Sequence, residues 1–162
     1  MKNREREIDQ TDRRLIQLLA GDGRKPAREL AEELDVSIPT VQSRMKRLIT
    51  SGVLKVAGLV NTFKAKGTLT AIIAIRVDDV SRMAKIFDQL GEFEQVVWAC
   101  AVTGQYDIFA EIIITEGIES MFDFYVDEIS KLEGVTHSES FMVTKTRRNW
   151  ILLPPNLKGW IK

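Results

Sequence analysis

A chain of 162 residues, 44% hydrophobic and 28% charged, has room for one ordinary domain or two small ones and lacks the composition of a disordered polymer. No apolar run approaches the roughly 18 residues of a membrane span, and the charged start MKNREREIDQ is unlike a secretory signal, so a cytoplasmic protein without membrane contact is expected. One cysteine, Cys100, and one histidine, His137, exclude an internal disulfide and a Cys/His zinc site; no metal, cofactor or catalytic residue is expected. The net charge of zero conceals two unlike halves. Residues 1–66 carry 14 Lys and Arg against 9 Asp and Glu, and residues 67–162 carry 9 against 14, so a contact with a polyanion belongs to the front half.

In chain order, residues 1–8 read as a charged, mobile arm. A helix follows, started by Asp9 or Thr11, stopped at Gly21 and Gly23, with Leu15, Ile16, Leu18 and Leu19 on one broad apolar face. Pro26 opens a second helix, since proline is favoured in a first turn. Leu30, Ala31 and Leu34 make its apolar stripe, and Val41, Met45 and Leu48 make that of a third helix. Between them Asp35, Val36 and Ser37 leave only a tight reversal, with Val36 to plug the corner, so the stretch 27–52 reads as a helix-turn-helix. Ser37 is a good N-cap for the third helix, and Pro39 sits in a first turn where no N–H partner is needed.

The outward face of that helix carries Pro39, Thr40, Ser43, Lys46 and Arg47, with Arg44 on the flank. Short hydroxyls near the N-terminus suit base edges, with Thr40 and Ser43 the best candidates. The cations beyond them, Arg44, Lys46 and Arg47, suit phosphates. A merely solvated face is the competing interpretation, but the capped turn and three-helix apolar pattern favour double-stranded DNA as partner. On that basis Arg47→Ala should flatten the salt dependence of binding by about one unit. After Gly52, VLKVAGLVN reads as a short strand or wing.

The back half reads as strand 69–77, helix 80–90, strands 95–102 and 108–114, helix 118–132 and strand 135–144. This βαββαβ order is that of a ferredoxin-like sandwich, making the whole chain α+β. In the first strand Leu69, Ala71, Ile73 and Ile75 oppose Thr70, Ile72 and Ala74; in the second Val96, Trp98, Cys100 and Val102 oppose Val97, Ala99 and Ala101. Cys100 is expected as a small buried residue. Both faces are apolar while two helices cover one, so the other is expected to close on a second copy, giving a homodimer with two recognition helices one helical turn apart. The loop Thr103, Gly104, Gln105, Tyr106 and Asp107 reads equally as a tight hairpin connection or as a cradle. In the second case backbone N–H groups near Gly104 would meet a carboxylate and Asp107 an ammonium.

The pattern Asp9-x-x-Asp12, Leu15-Ile16, Asp22-Gly23-Arg24, Leu30-Ala31, Val36-Ser37, Val41, Arg44, Leu48 and Gly52-Val53-Leu54 resembles the DNA-binding half of the Lrp/AsnC (feast/famine) family of transcriptional regulators. Pro26 departs from it, standing where the family often has a capping Ser or Thr. The resemblance implies a winged helix-turn-helix followed by a RAM-type ferredoxin-like domain that dimerises and binds an amino-acid effector between protomers. It places residues 1–64 in the first domain with its linker strand and 65–146 in the second. It further implies an effector site at the Gly104 to Asp107 signature, with Gly117 and the last-strand residues Ser138, Ser140, Phe141, Met142 and Val143 helping to line it, and assembly into tetramers or octamers.

The ending RRNWILLPPNLKGWIK departs from the family's short terminus. With Pro154-Pro155 forbidding regular structure and Trp150, Ile151, Leu152, Leu153 and Trp160 too apolar for a free tail, residues 147–162 are expected to pack on their own or a neighbouring protomer. Two other readings compete. One is a tetrapyrrole-binding enzyme like the sirohaem decarboxylases that share this scaffold, for which His137 is the lone histidine. The other is a ligand-binding or assembly module whose helix-turn-helix no longer contacts DNA.

Overall fold

The computed structural model describes residues 8–147 and 150–160, so the expected arm lies outside them but for Ile8. The chain divides into two compact units between Gly58 and Leu59.

The first unit holds three helices, α1 (Gln10–Gly21), α2 (Ala27–Leu34) and α3 (Ile38–Thr50). Asp9 starts α1 through a reciprocal capping box, its carboxylate accepting from the Asp12 N–H at 2.8 Å while the Asp12 carboxylate accepts from the Asp9 N–H at 3.2 Å. Helix α2 begins behind Pro26 with no side-chain cap, as the departure from the family pattern implied. It ends at Asp35 in the left-handed region (φ 53°), and the Val36 N–H then closes onto the Ala31 carbonyl at 3.1 Å. That left-handed residue lets three positions reverse the chain. Ser37 caps α3 by accepting from the Thr40 N–H at 3.3 Å.

Leu15, Leu19, Leu30, Ala31, Leu34, Val41 and Leu48 form the core of this unit, flanked by Val36 and Met45. Each buried Leu contributes about 1.5–3 kcal/mol. The expected strand or wing over 53–61 forms no ladder. Among the described residues its one bridge is Val60 to Ile151, which belongs to the second unit. Among the described residues the first unit holds no strand, and a lone one would leave its backbone donors unpaired within the protein.

The second unit holds β1 (Leu69–Val77), α4 (Met83–Glu92), β2 (Val96–Ala101), β3 (Ile108–Ile114), α5 (Ile118–Asp127) and β4 (Val135–Met142), in the expected order. The helical stretches differ at their ends. Val80–Arg82 is a 3-10 turn seeded by the Asp79 carboxylate on the Ser81 N–H, and another, Ile129–Lys131, follows α5. The four strands form one antiparallel sheet in the order β2-β3-β1-β4. One face packs Ala71, Ile73, Ile75, Ile108, Ile112 and Ile114 against Ile86 and Leu90 of α4 and Phe124 of α5.

Strand β2 breaks the alternation read from the sequence. A register shift between Val96 and Trp98 pairs Val96 with Ile112 but Trp98 with Glu111, so Val96 and Ala99 both lie on the helix side and Trp98 and Cys100 on the other. Cys100 is therefore exposed, not buried as expected. Across the middle of that open face run Trp98, Glu111, Ile72 and Phe141, with Trp98 42% and Phe141 47% exposed.

The tail returns to its own unit. Ile151 is buried and exchanges backbone hydrogen bonds of 2.8 and 3.0 Å with Val60, the Thr115 hydroxyl donates to the Lys158 carbonyl at 2.6 Å, and the Lys158 ammonium reaches Glu94 at 3.3 Å. Among the described residues no helix is long and apolar enough to cross a membrane.

Candidate DNA-reading helix and effector loops

A capped helix of 13 residues presents one row of side chains to solvent every three or four positions. On α3 the exposed side chains are Pro39, Gln42, Ser43, Lys46 and Thr50, with two isoleucines, Ile38 and Ile49, also open to solvent. Three of the predicted contacts, Pro39, Ser43 and Lys46, are among them. Ser37 and Thr40 sit at the N-terminal end of the helix, sharing a hydroxyl–hydroxyl hydrogen bond of 2.8 Å that fixes both rotamers. Gln42 is absent from the sequence-based set although it stands between Pro39 and Lys46. Its amide can pair with both N6 and N7 on the major-groove edge of an adenine, and the spacing from Pro39 to Lys46 runs through it.

Arg44 and Arg47 point elsewhere. Both were expected on phosphates, and both are held by carboxylates at the start of α1. The Arg44 guanidinium donates to Asp9 at 2.6 Å and to Asp12 at 2.8 Å, and Arg47 donates to the other Asp12 oxygen. The Arg44 and Arg47 side chains keep only 25% and 33% of their surface, and Asp12 keeps none. Burial acts to raise the Asp12 pKa, but the hydrogen bonds from Arg47 and Arg44 and from the Asp9 amide outweigh it and hold the carboxyl below the ordinary range. The Arg44 hydrogen bond does the same for Asp9. These carboxylates are ionised at neutral pH and leave the cluster with no net charge.

In the second unit the loop Thr103 to Asp107 joins β2 to β3. Gly104 takes φ 137° with open space where a Cβ would stand. Asp107 is bound into the sheet, one carboxylate oxygen accepting from the Val77 N–H at 2.9 Å while its own N–H donates to the Ile75 carbonyl. One oxygen of the expected ammonium partner is thus spent on the fold. The Gln105 carbonyl accepts from Arg76, and Tyr106 packs on Phe109 and stacks on His137 at a centroid distance of 6.4 Å. His137 is itself exposed and bonded to Glu139 at 3.0 Å, and the hydrogen bonds from His137 and Tyr106 hold the Glu139 carboxyl below its usual value.

The remaining effector candidates do not converge within one chain. Strand alternation sends Ser138, Ser140 and Met142 to the helix side, where the Tyr125 hydroxyl meets Ser138 at 2.6 Å, and sends Phe141 and Val143 to the open side. Gly117, at φ 92°, starts α5 beyond one end of β3, and Gly104 precedes its other end. At about 3.3 Å per residue the two lie roughly 20 Å apart along the strand.

Residues 8–55 match winged helix-turn-helix DNA-binding domains, and residues 70–150 match the Lrp/AsnC ligand binding domain. The chain is 30% identical to the HTH-type transcriptional regulator FL11 of Pyrococcus abyssi, over 91% of this chain and 96% of that one. It is 28% identical to the HTH-type transcriptional regulator Ptr1 of Methanocaldococcus jannaschii, over 91% and 99%. Among solved structures, the feast or famine regulatory protein of M. tuberculosis complexed with L-methionine is similar with a TM-score of 0.74 at 26% identity, covering 86% of this chain and 94% of that one.

Proposed function

The chain belongs to the Lrp/AsnC family of DNA-binding transcriptional regulators and is not an enzyme, and from that premise we propose that a free amino acid held between protomers sets how it binds specific DNA sites. Pro39, Gln42, Ser43 and Lys46 face the duplex, with Ser37 and Thr40 at the helix N-terminus beside them. Base edges fall to Gln42 and Ser43, and phosphate to Lys46.

The observation that carries the effector reading is the separation of Gly104 from Gly117. Two backbone openings at opposite ends of β3 cannot enclose one small molecule in a single chain, whereas the loop of one protomer beside the α5 start of another can. A ligand in such a shared site binds one arrangement of protomers better than another, and so shifts the placement of the paired recognition helices or the assembly among dimer, tetramer and octamer. The open face around Trp98 and Phe141 supports the dimer. The tetrapyrrole reading has nothing in its favour, since His137 is engaged by Glu139 and Tyr106 at the surface.

Thermal shift against each of the twenty amino acids, followed by duplex binding with and without any that shifts, tests the proposal. One amino acid should raise the melting temperature and change the affinity for DNA. No shift with any of them at millimolar concentration rejects the amino-acid effector.

A further inference from the structure

Helix capping does not explain the cluster at the start of α1. The capping box needs only the exchange between Asp9 and Asp12, yet the same two carboxylates also take Arg44 and Arg47 from a helix 32 to 35 positions away. Asp12 has no exposed surface and accepts from both guanidiniums and from the Asp9 N–H. A guanidinium that left it for a phosphate would strand a buried carboxylate, which is costly, whereas an exposed phosphate contact returns little in high dielectric.

We propose that Asp12 is a positioning residue of the DNA reader, one that keeps Arg44 and Arg47 turned onto α1 as struts for the recognition helix and out of the count of phosphate contacts. Two positive and two negative charges cancel, so α3 offers DNA the charge of Lys46 and not that of three cations. The cluster also resists rotation of α3 about its axis, because Arg44 and Arg47 lie along one flank of the helix, next to Ser43, and are tied to α1. Rotation of α3 by one residue would take one of Gln42 and Ser43 off the exposed side, depending on its sense, and this pair of arginines resists it. The effector has no part in this device.

Salt dependence separates the possibilities, because each phosphate neutralised adds about 0.9 to the slope of log affinity against log salt. The full chain and its Arg47→Ala, Asp12→Asn, Asp12→Glu and Asp9→Asn variants are titrated with a long mixed-sequence duplex over a range of KCl. Arg47→Ala should keep the parent slope. Asp12→Asn should steepen it by about one unit or more as guanidiniums are released, with Asp9→Asn moving in the same direction by less and Asp12→Glu returning toward the parent. A slope that becomes shallower by about one unit in Arg47→Ala shows a direct phosphate contact and overturns the proposal. So does an Asp12→Asn variant that melts lower with its slope unchanged, which marks a purely structural carboxylate. Should Asp12→Asn fail to fold, Arg47→Ala and Asp9→Asn decide alone, since both changes fall on partly exposed side chains.

Discussion

Asp12 in the three-helix unit and Glu111 in the sheet unit are both buried carboxylates, yet the first meets two guanidiniums and the second meets only the indole N–H of Trp98. Among the described residues no cation comes within ion-pair distance of Glu111. Asp12 is neutralised by residues of its own unit, which is electrostatically finished as a single chain. Glu111 sits at the centre of a face whose neighbours, Trp98 and Phe141, are open to solvent. A buried carboxyl group with one neutral donor on an uncovered surface marks where the fold is incomplete by itself.

Substitution should sharpen this contrast. Asp12→Ala leaves two guanidiniums without their carboxylate. It should cost roughly 2–4 kcal/mol, below the figure for a fully buried pair because both arginines can rehydrate. The loss is readable by far-UV circular dichroism. No aromatic residue lies in 1–58, so tryptophan fluorescence reports the sheet unit alone and should lag behind. Glu111→Gln keeps an acceptor for Trp98 and breaks no ion pair, so its effect should stay within about 1 kcal/mol. A loss as large as that of Asp12→Ala would erase the distinction between the two sites.

Acid should part the units in the same sense. A carboxylate whose folded pKa lies below its unfolded value contributes fully above about pH 4 and loses that contribution as pH falls through the folded value. Asp9 and Asp12 are both lowered in this way. Helical signal should therefore become less heat-stable below about pH 4, with Asp12→Asn showing a flatter dependence. Cys100 lies on the open face beside Phe109, so thiol modification should slow with rising protein concentration if a second copy covers it. A concentration-independent rate would leave the face uncovered. The smallest effect concerns Asp35, whose left-handed backbone glycine tolerates better, so Asp35→Gly should raise stability by about 0.5–1 kcal/mol.

The sequence made the architecture legible where local chemistry specifies it. Ser37 and Pro39 marked the start of α3 to the residue, and β1 and β3 ended where their apolar runs ended. What it hid depends on packing between distant segments. Nothing within α3 shows that Arg44 and Arg47 will meet Asp12, because that follows only once α1 lies against α3. Gln42 differs, since its place on the helix wheel is readable between Pro39 and Lys46 and only its neutral amide sets it apart from the hydroxyls and cations around it. The open-face position of Cys100 was unreadable because both faces of β2 are apolar, so hydrophobicity could not reveal a slipped register.

That slip has a consequence for how such sheets change. Val97 is the supernumerary residue of β2, and its accommodation lets Val96 and Ala99 share the helix side while Trp98 and Cys100 are displayed on the other. Removing Val97 would straighten the strand and leave both faces as they are, whereas losing the bulge at full length would carry Trp98 and Cys100 to the side of Val96. What such a strand displays is thus set by where its extra residue is absorbed, so a change that moves the bulge would exchange the surface without altering the chain length.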